Sequence, residues 1–103
     1  MEVNILGVKY KIIEVPDNDT FEGLCDTSIK QIKIVEYAPS NEPHVKGDLK
    51  YVRQKTIRHE IAHAFLYESG FDSNVPNSDE MLVDWIAIQA PKLFEAFTEA
   101  EAL

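Results

Sequence analysis

The segment His59-Glu60-Ile61-Ala62-His63 places two imidazoles four residues apart, with a carboxylate beside the first. On a helix, positions four apart share a face, with roughly 5–6 Å between their Cβ atoms. Two imidazoles at that spacing can hold one tetrahedral Zn²⁺, whose borderline-soft character suits nitrogen donors. Glu60 then stands where it can take a proton from a water beside the metal. A shuffled chain of the same composition would show this pattern in roughly one case in a hundred, so the motif is suggestive but not decisive alone.

A catalytic zinc needs a third protein ligand and leaves its fourth position to water. Glu80 follows His63 by seventeen positions, beyond a helix stop at Gly70 and a short link. Asp84 lies one helical turn past Glu80, where it can accept the second N–H of a zinc-bound histidine and fix its tautomer. Taken alone, Glu80 also fits a first-turn acid favoured by the helix dipole. In the company of the histidine pair the ligand reading is preferred. The expectation is one Zn²⁺ per chain on His59, His63 and Glu80, with Glu60 as general base and Asp84 behind a histidine. Mn²⁺ and Fe²⁺ suit the same donors.

A developing oxyanion needs a further stabiliser. Tyr67, one turn after His63, and His44, in a Pro-rich loop, are candidates, with Tyr37 and Tyr51 behind them. Each has an ordinary alternative: Tyr67 as a packing residue, His44 as a loop residue without a role. Cys25 is the only cysteine, so no internal disulfide forms, and it reads as a small buried apolar residue.

These groups need elements to hold them. Val8, Tyr10 and Ile12 alternate with Lys9 and Lys11, the two-residue period of a half-buried strand, and Val3 and Ile5 repeat it. A hairpin turning near Leu6-Gly7 follows. A second strand pair is expected around Asp26-Thr27-Ser28, with Ile32 and Ile34 alternating about Lys33. Residues 38–47 are rich in Pro, Asn and Ser and read as a connecting loop. Asp48 is a fitting cap for a helix to Ser69 stopped by Gly70. Its core face is expected on Ile57, Ile61, Ala64 and Phe65, with the histidines nearly opposite. A second helix starts near Ser78, and Pro91 should kink or restart it before Leu93, Phe94 and Phe97. The order is α+β in a single domain: a small N-terminal sheet of antiparallel type, then an active-site helix and a Pro-kinked C-terminal helix.

The runs Gln54 to Ala64 and Glu80 to Ala87, with Gly23-Leu24-Cys25-Asp26 leading to Ile32-Lys33-Ile34, resemble the ImmA/IrrE-type zinc peptidases, sometimes called minigluzincins. The resemblance covers roughly residues 20–90. It implies a zincin-like fold, zinc-dependent hydrolysis of peptide bonds, ligands at His59, His63 and Glu80, and a base at Glu60. That family often has Asn where Asp84 stands. Its members often act on repressor-type regulatory proteins, and many are encoded by phages or mobile elements. It also supports pairing of an extended substrate with a sheet edge, expected along Gln31, Ile32, Lys33, Ile34 and Val35.

Net charge of -8 argues against nucleic acid as the main partner. No apolar run approaches a membrane span and the N-terminus has no signal-peptide pattern, so a cytoplasmic protein acting on a protein or peptide is expected. Lys46, Lys50, Arg53, Lys55 and Arg58 form a basic stretch, read either as a solvated face or as a rim that steers an acidic substrate segment. Two readings compete with the peptidase. One is a zinc-binding regulatory or interaction module without turnover. The other is a small binding protein in which the histidines are incidental.

Overall fold

In the computed structural model the described residues are 1–37, 47–71 and 78–103. Strands β1 (Glu2–Ile5) and β2 (Val8–Val15) form the expected hairpin, turning through Leu6 and Gly7, both at positive φ. Two residues with φ above zero match the twist of paired strands, and glycine supplies the second without strain. Strands β3 (Gly23–Asp26) and β4 (Gln31–Val35) form a second antiparallel pair.

The sheet is mixed, not antiparallel throughout. Its order is β1-β2-β4-β3, and β2 runs parallel to β4, with Ile12 opposite Ile32. The segment between β2 and β3 lets the chain skip one place, so that β4 returns beside β2 and β3 becomes an edge. This corrects the expected antiparallel layout. It also corrects the expected substrate strand: Gln31, Ile32, Lys33, Ile34 and Val35 are paired on both sides, with no free edge to offer.

One sheet face carries Ile5, Tyr10, Ile12, Ile32 and Ile34, all buried, while Lys9 and Lys11 stay exposed. Helix α1 (Leu49–Glu68) covers that face with Ala64 and the partly buried Ile57 and Ile61. Asp48 caps it by accepting the Tyr51 N–H, and Gly70 at φ 81 follows its end. Phe65 departs from the expected core face. It is 43% exposed and turns instead into an apolar cleft shared with Leu66, Ile86 and Phe94.

Helix α2 (Ser78–Glu99) packs on α1, and among its described residues only Val83 and Ala87 are buried. It continues helically through Pro91, so the helix does not restart there. Proline removes the N–H that would serve the carbonyl four residues earlier, here that of Ala87. That carbonyl accepts instead from Arg58 Nε of α1, at 2.7 Å. An unpaired buried carbonyl would cost about 1–3 kcal/mol, so this bond offsets the main penalty of proline at that position. Among the described helices none is long and apolar enough to cross a membrane.

The far end of α1 is tied to the sheet by a polar cluster. Tyr10 donates to Glu68 Oε2 at 2.9 Å, and Lys30 pairs with the same oxygen at 3.0 Å. Burial, then Glu68, push the Tyr10 hydroxyl above its ordinary pKa, whereas Lys30 holds the Glu68 carboxyl below its own. Tyr10→Phe removes one hydrogen bond and leaves Glu68 its lysine, so it should lower unfolding stability by about 1 kcal/mol in urea titration. An unchanged midpoint would mean that Lys30 alone anchors Glu68.

Candidate metal centre

The two helices meet in antiparallel register with matching one-turn pairs, His59 and His63 on α1, Glu80 and Asp84 on α2. His59 Nε2 lies 3.2 Å from His63 Nε2 and 3.3 Å from Glu80 Oε2. His63 Nε2 lies 2.6 Å from Glu80 Oε1. Ligand atoms on a tetrahedral zinc with bonds of about 2.0–2.1 Å are separated by roughly 3.3 Å, which the spacings of His59 Nε2 to His63 Nε2 and to Glu80 Oε2 match, while His63 approaches the other Glu80 oxygen. The donor set, two imidazole nitrogens and one carboxylate, also suits zinc in type.

Asp84 takes the place expected of it. Its Oδ1 accepts from His59 Nδ1 at 2.8 Å. A proton held at Nδ1 leaves the Nε2 lone pair facing His63 and Glu80, which is the tautomer a metal ligand needs. The two histidines are largely covered, with side chains 21% and 22% exposed, while Glu80 and Asp84 form the open side.

Glu60 lies under β3 and is 6% exposed, with a carboxylate oxygen within 4.8 Å of ring nitrogens of both His59 and His63. Burial pushes its carboxyl up to about 7; the neighbouring His59 opposes the rise and Glu80 adds to it. A carboxyl whose pKa lies near neutrality is suited both to accepting and to returning a proton. The space above Glu60 exists because residue 23 is glycine. A Cβ there would come within 2.7 Å of Thr56 Cγ2 and 3.0 Å of Glu60 Oε2. Thr56 is itself held, donating to the Val52 carbonyl at 2.9 Å and bonded to the Tyr37 hydroxyl at 3.0 Å.

Two clefts meet at these residues, since Gly23, His59 and Glu60 line both. The larger, about 650 Å³, is walled by Leu24, Cys25, Leu66, Tyr67 and Phe71. The smaller, about 440 Å³, is walled by Phe21, Lys55, Ala87 and Ile88, with Asp84 at its rim. Strand β3 runs beside both. Glu22 accepts the Val35 N–H at 3.0 Å. In an antiparallel pair inward and outward bonding alternate, so the backbone groups of Gly23 and Cys25 face away from β4.

Of the other candidates, Tyr67 lines the larger cleft, but its ring lies 4.9 Å from Lys30 Nζ and makes no described contact with the histidines. The Tyr37 hydroxyl is engaged by Thr56, and the Tyr51 ring lies near Lys55. His44 lies outside the described residues, as does Lys46. Cys25 is partly buried, and burial pushes its thiol up to about 11, which disfavours the thiolate a nucleophile would require. The basic stretch is not a uniform rim: Arg53 pairs with Glu14 at 2.9 Å and Arg58 with the Ala87 carbonyl. Sequence reasoning missed the roles of Gly23 and Arg58, both of which depend on a contact with a distant element.

Comparisons of the chain with protein-family models, curated proteins and solved structures find no match.

Gly23→Ala should destabilise the fold by about 1–3 kcal/mol through overpacking against Thr56 and Glu60. Adding Thr56→Ser, which removes the nearer of the two contacts, should recover part of that loss. Full stability in the single variant, read by thermal unfolding, would show that β3 and α1 separate without penalty.

Proposed function

We propose that this chain is a zinc-dependent metallopeptidase, with His59, His63 and Glu80 as metal ligands and Glu60 as general base. The observation that carries the reading is the convergence of the three donor atoms, with Asp84 setting the His59 tautomer and a buried carboxylate one residue away. A regulatory metal site would use the three donors and Asp84 but has no use for the buried Glu60 carboxylate. Zn²⁺ bound there would supply Lewis acidity, polarising a carbonyl and lowering the pKa of water from 15.7 to roughly 7 in favourable sites.

The protein's own groups account for the rest. Glu60 takes a proton from the attacking water and returns it to the leaving amine, a role typically worth about 10²–10⁴ in rate. Asp84 keeps His59 oriented throughout. The outward backbone groups of Gly23 and Cys25 offer an extended peptide main-chain hydrogen bonds along β3, the strand that takes over the role expected of β4. Clefts on either side of the catalytic groups can receive side chains flanking the scissile bond, those of the larger cleft against Leu24, Leu66 and Phe71. The resemblance of both motifs to ImmA/IrrE-type peptidases agrees with this chemistry, and with a separate regulatory protein as substrate.

Elemental analysis after zinc loading and gel filtration tests the metal centre. Wild type should retain one zinc per chain, and Glu80→Ala much less. Glu60→Gln should keep the zinc and lose hydrolysis of a mixed fluorogenic peptide set by about 10²–10⁴-fold. Zinc retained with equal turnover in Glu60→Gln would remove the base, and failure of wild type to hold zinc would remove the centre altogether.

A further inference from the structure

We infer that Arg58 is a positioning residue for the metal centre, acting through the Ala87 carbonyl that Pro91 leaves without its helical donor. The inference rests on the metal-centre reading above and adds a residue outside the ligand set.

The geometry is specific. Arg58 Nε donates to the Ala87 oxygen at 2.7 Å, and Ala87 is 1% exposed, so water is poorly placed to substitute. Residue 91 is proline, and the bond from residue 91 to residue 87 cannot form. Arg58 immediately precedes His59, and Ala87 lies three residues beyond Asp84, within one turn of α2. The bond therefore ties the helices together next to the point where Asp84 meets His59 Nδ1. Apart from the contacts of Glu80 and Asp84 with the histidines themselves, little among the described residues fixes the rotation of α2 about its own axis. Its described buried side chains are those of Val83 and Ala87, small and apolar, and apolar packing of this kind is not directional. A hydrogen bond from a planar guanidinium to one carbonyl is directional, and a rotation of α2 that breaks it also swings Glu80 and Asp84 away from the histidines.

This arrangement makes a prediction that a merely stabilising contact does not. Pro91→Ala restores the missing N–H, so the Ala87 carbonyl gains an intrahelical donor and is satisfied without Arg58, while the tie between the helices still depends on Arg58. The experiment is a four-member cycle of wild type, Arg58→Met, Pro91→Ala and the double variant, each titrated with Zn²⁺ against a competing chelator. The visible spectrum of the Co²⁺-loaded proteins reports ligand geometry in parallel. Arg58→Met alone should weaken zinc affinity about tenfold or more, within the range seen when groups supporting a ligand are lost, and should distort the Co²⁺ spectrum. In the Pro91→Ala background the same substitution should still weaken affinity about tenfold, because the intrahelical donor satisfies the carbonyl without tying α2 to α1. If Arg58→Met does not fold, Arg58→Lys, which keeps the charge but not the planar donor, goes through the same cycle. A loss that vanishes in the Pro91→Ala background, or no loss in either, would overturn the positioning role while leaving the metal centre standing. A wild type that binds neither ion would instead overturn the metal-centre reading itself.

Discussion

The register of α2 against α1 is the constraint on which the candidate centre depends. Each helix carries a polar pair one turn apart, and only antiparallel docking at one particular register brings Glu80 to both histidines and Asp84 to His59. A slide of one turn, about 5.4 Å, would place Asp84 where Glu80 stands and leave the His59 Nδ1 proton without its acceptor. The apolar contacts of Val83 and Ala87 tolerate small displacements; the hydrogen bonds of His59 and Arg58 do not.

A second constraint acts where strand β3 lies against α1. Glycine at residue 23 lets the edge strand approach until Thr56 and Glu60 lie against its backbone, and this approach is what buries the Glu60 carboxyl. The raised proton affinity of that acid is thus a property of the strand as much as of the helix. The same closeness puts the outward-facing backbone of β3 beside the groups that would do chemistry. Helix α1 therefore has three distinct faces: Ile57, Ile61 and Ala64 toward the sheet, Glu60 under the edge strand, and the histidines toward α2.

Much of this was legible in the residues because it is local. Asp48 and Gly70 mark the ends of α1 through capping chemistry, and Leu6-Gly7 marks the hairpin through its turn conformation. The four-residue spacings in the two motifs carry the partnership of His59, His63, Glu80 and Asp84, since helix geometry fixes which side chains share a face. What was not legible is non-local. Alternation in Ile32 and Ile34 says that one face is buried but not which strands lie on either side, so the parallel pairing of β2 with β4 and the edge position of β3 had to come from the fold. Pro91 reads as a break because a helix seen alone has no donor for the Ala87 carbonyl; the donor is twenty-nine residues away in α1. Phe65 reads as core because a helical wheel does not know that a second helix runs along its flank.

The thin packing of α2 sets a thermodynamic cost on any ion taken up between the helices. Two of the candidate ligands ride on α1, which the sheet holds in place, and the third rides on an element that buries Val83 and Ala87 alone among its described residues. Apparent affinity equals intrinsic affinity multiplied by the fraction of molecules in which the helix is docked. A helix docked in about one molecule in ten would weaken capture about tenfold, with no change in the ligands themselves. Conversely, an ion bridging His59, His63 and Glu80 stabilises the docked state by the same linkage, so its free concentration would govern how much of the chain has an assembled cleft.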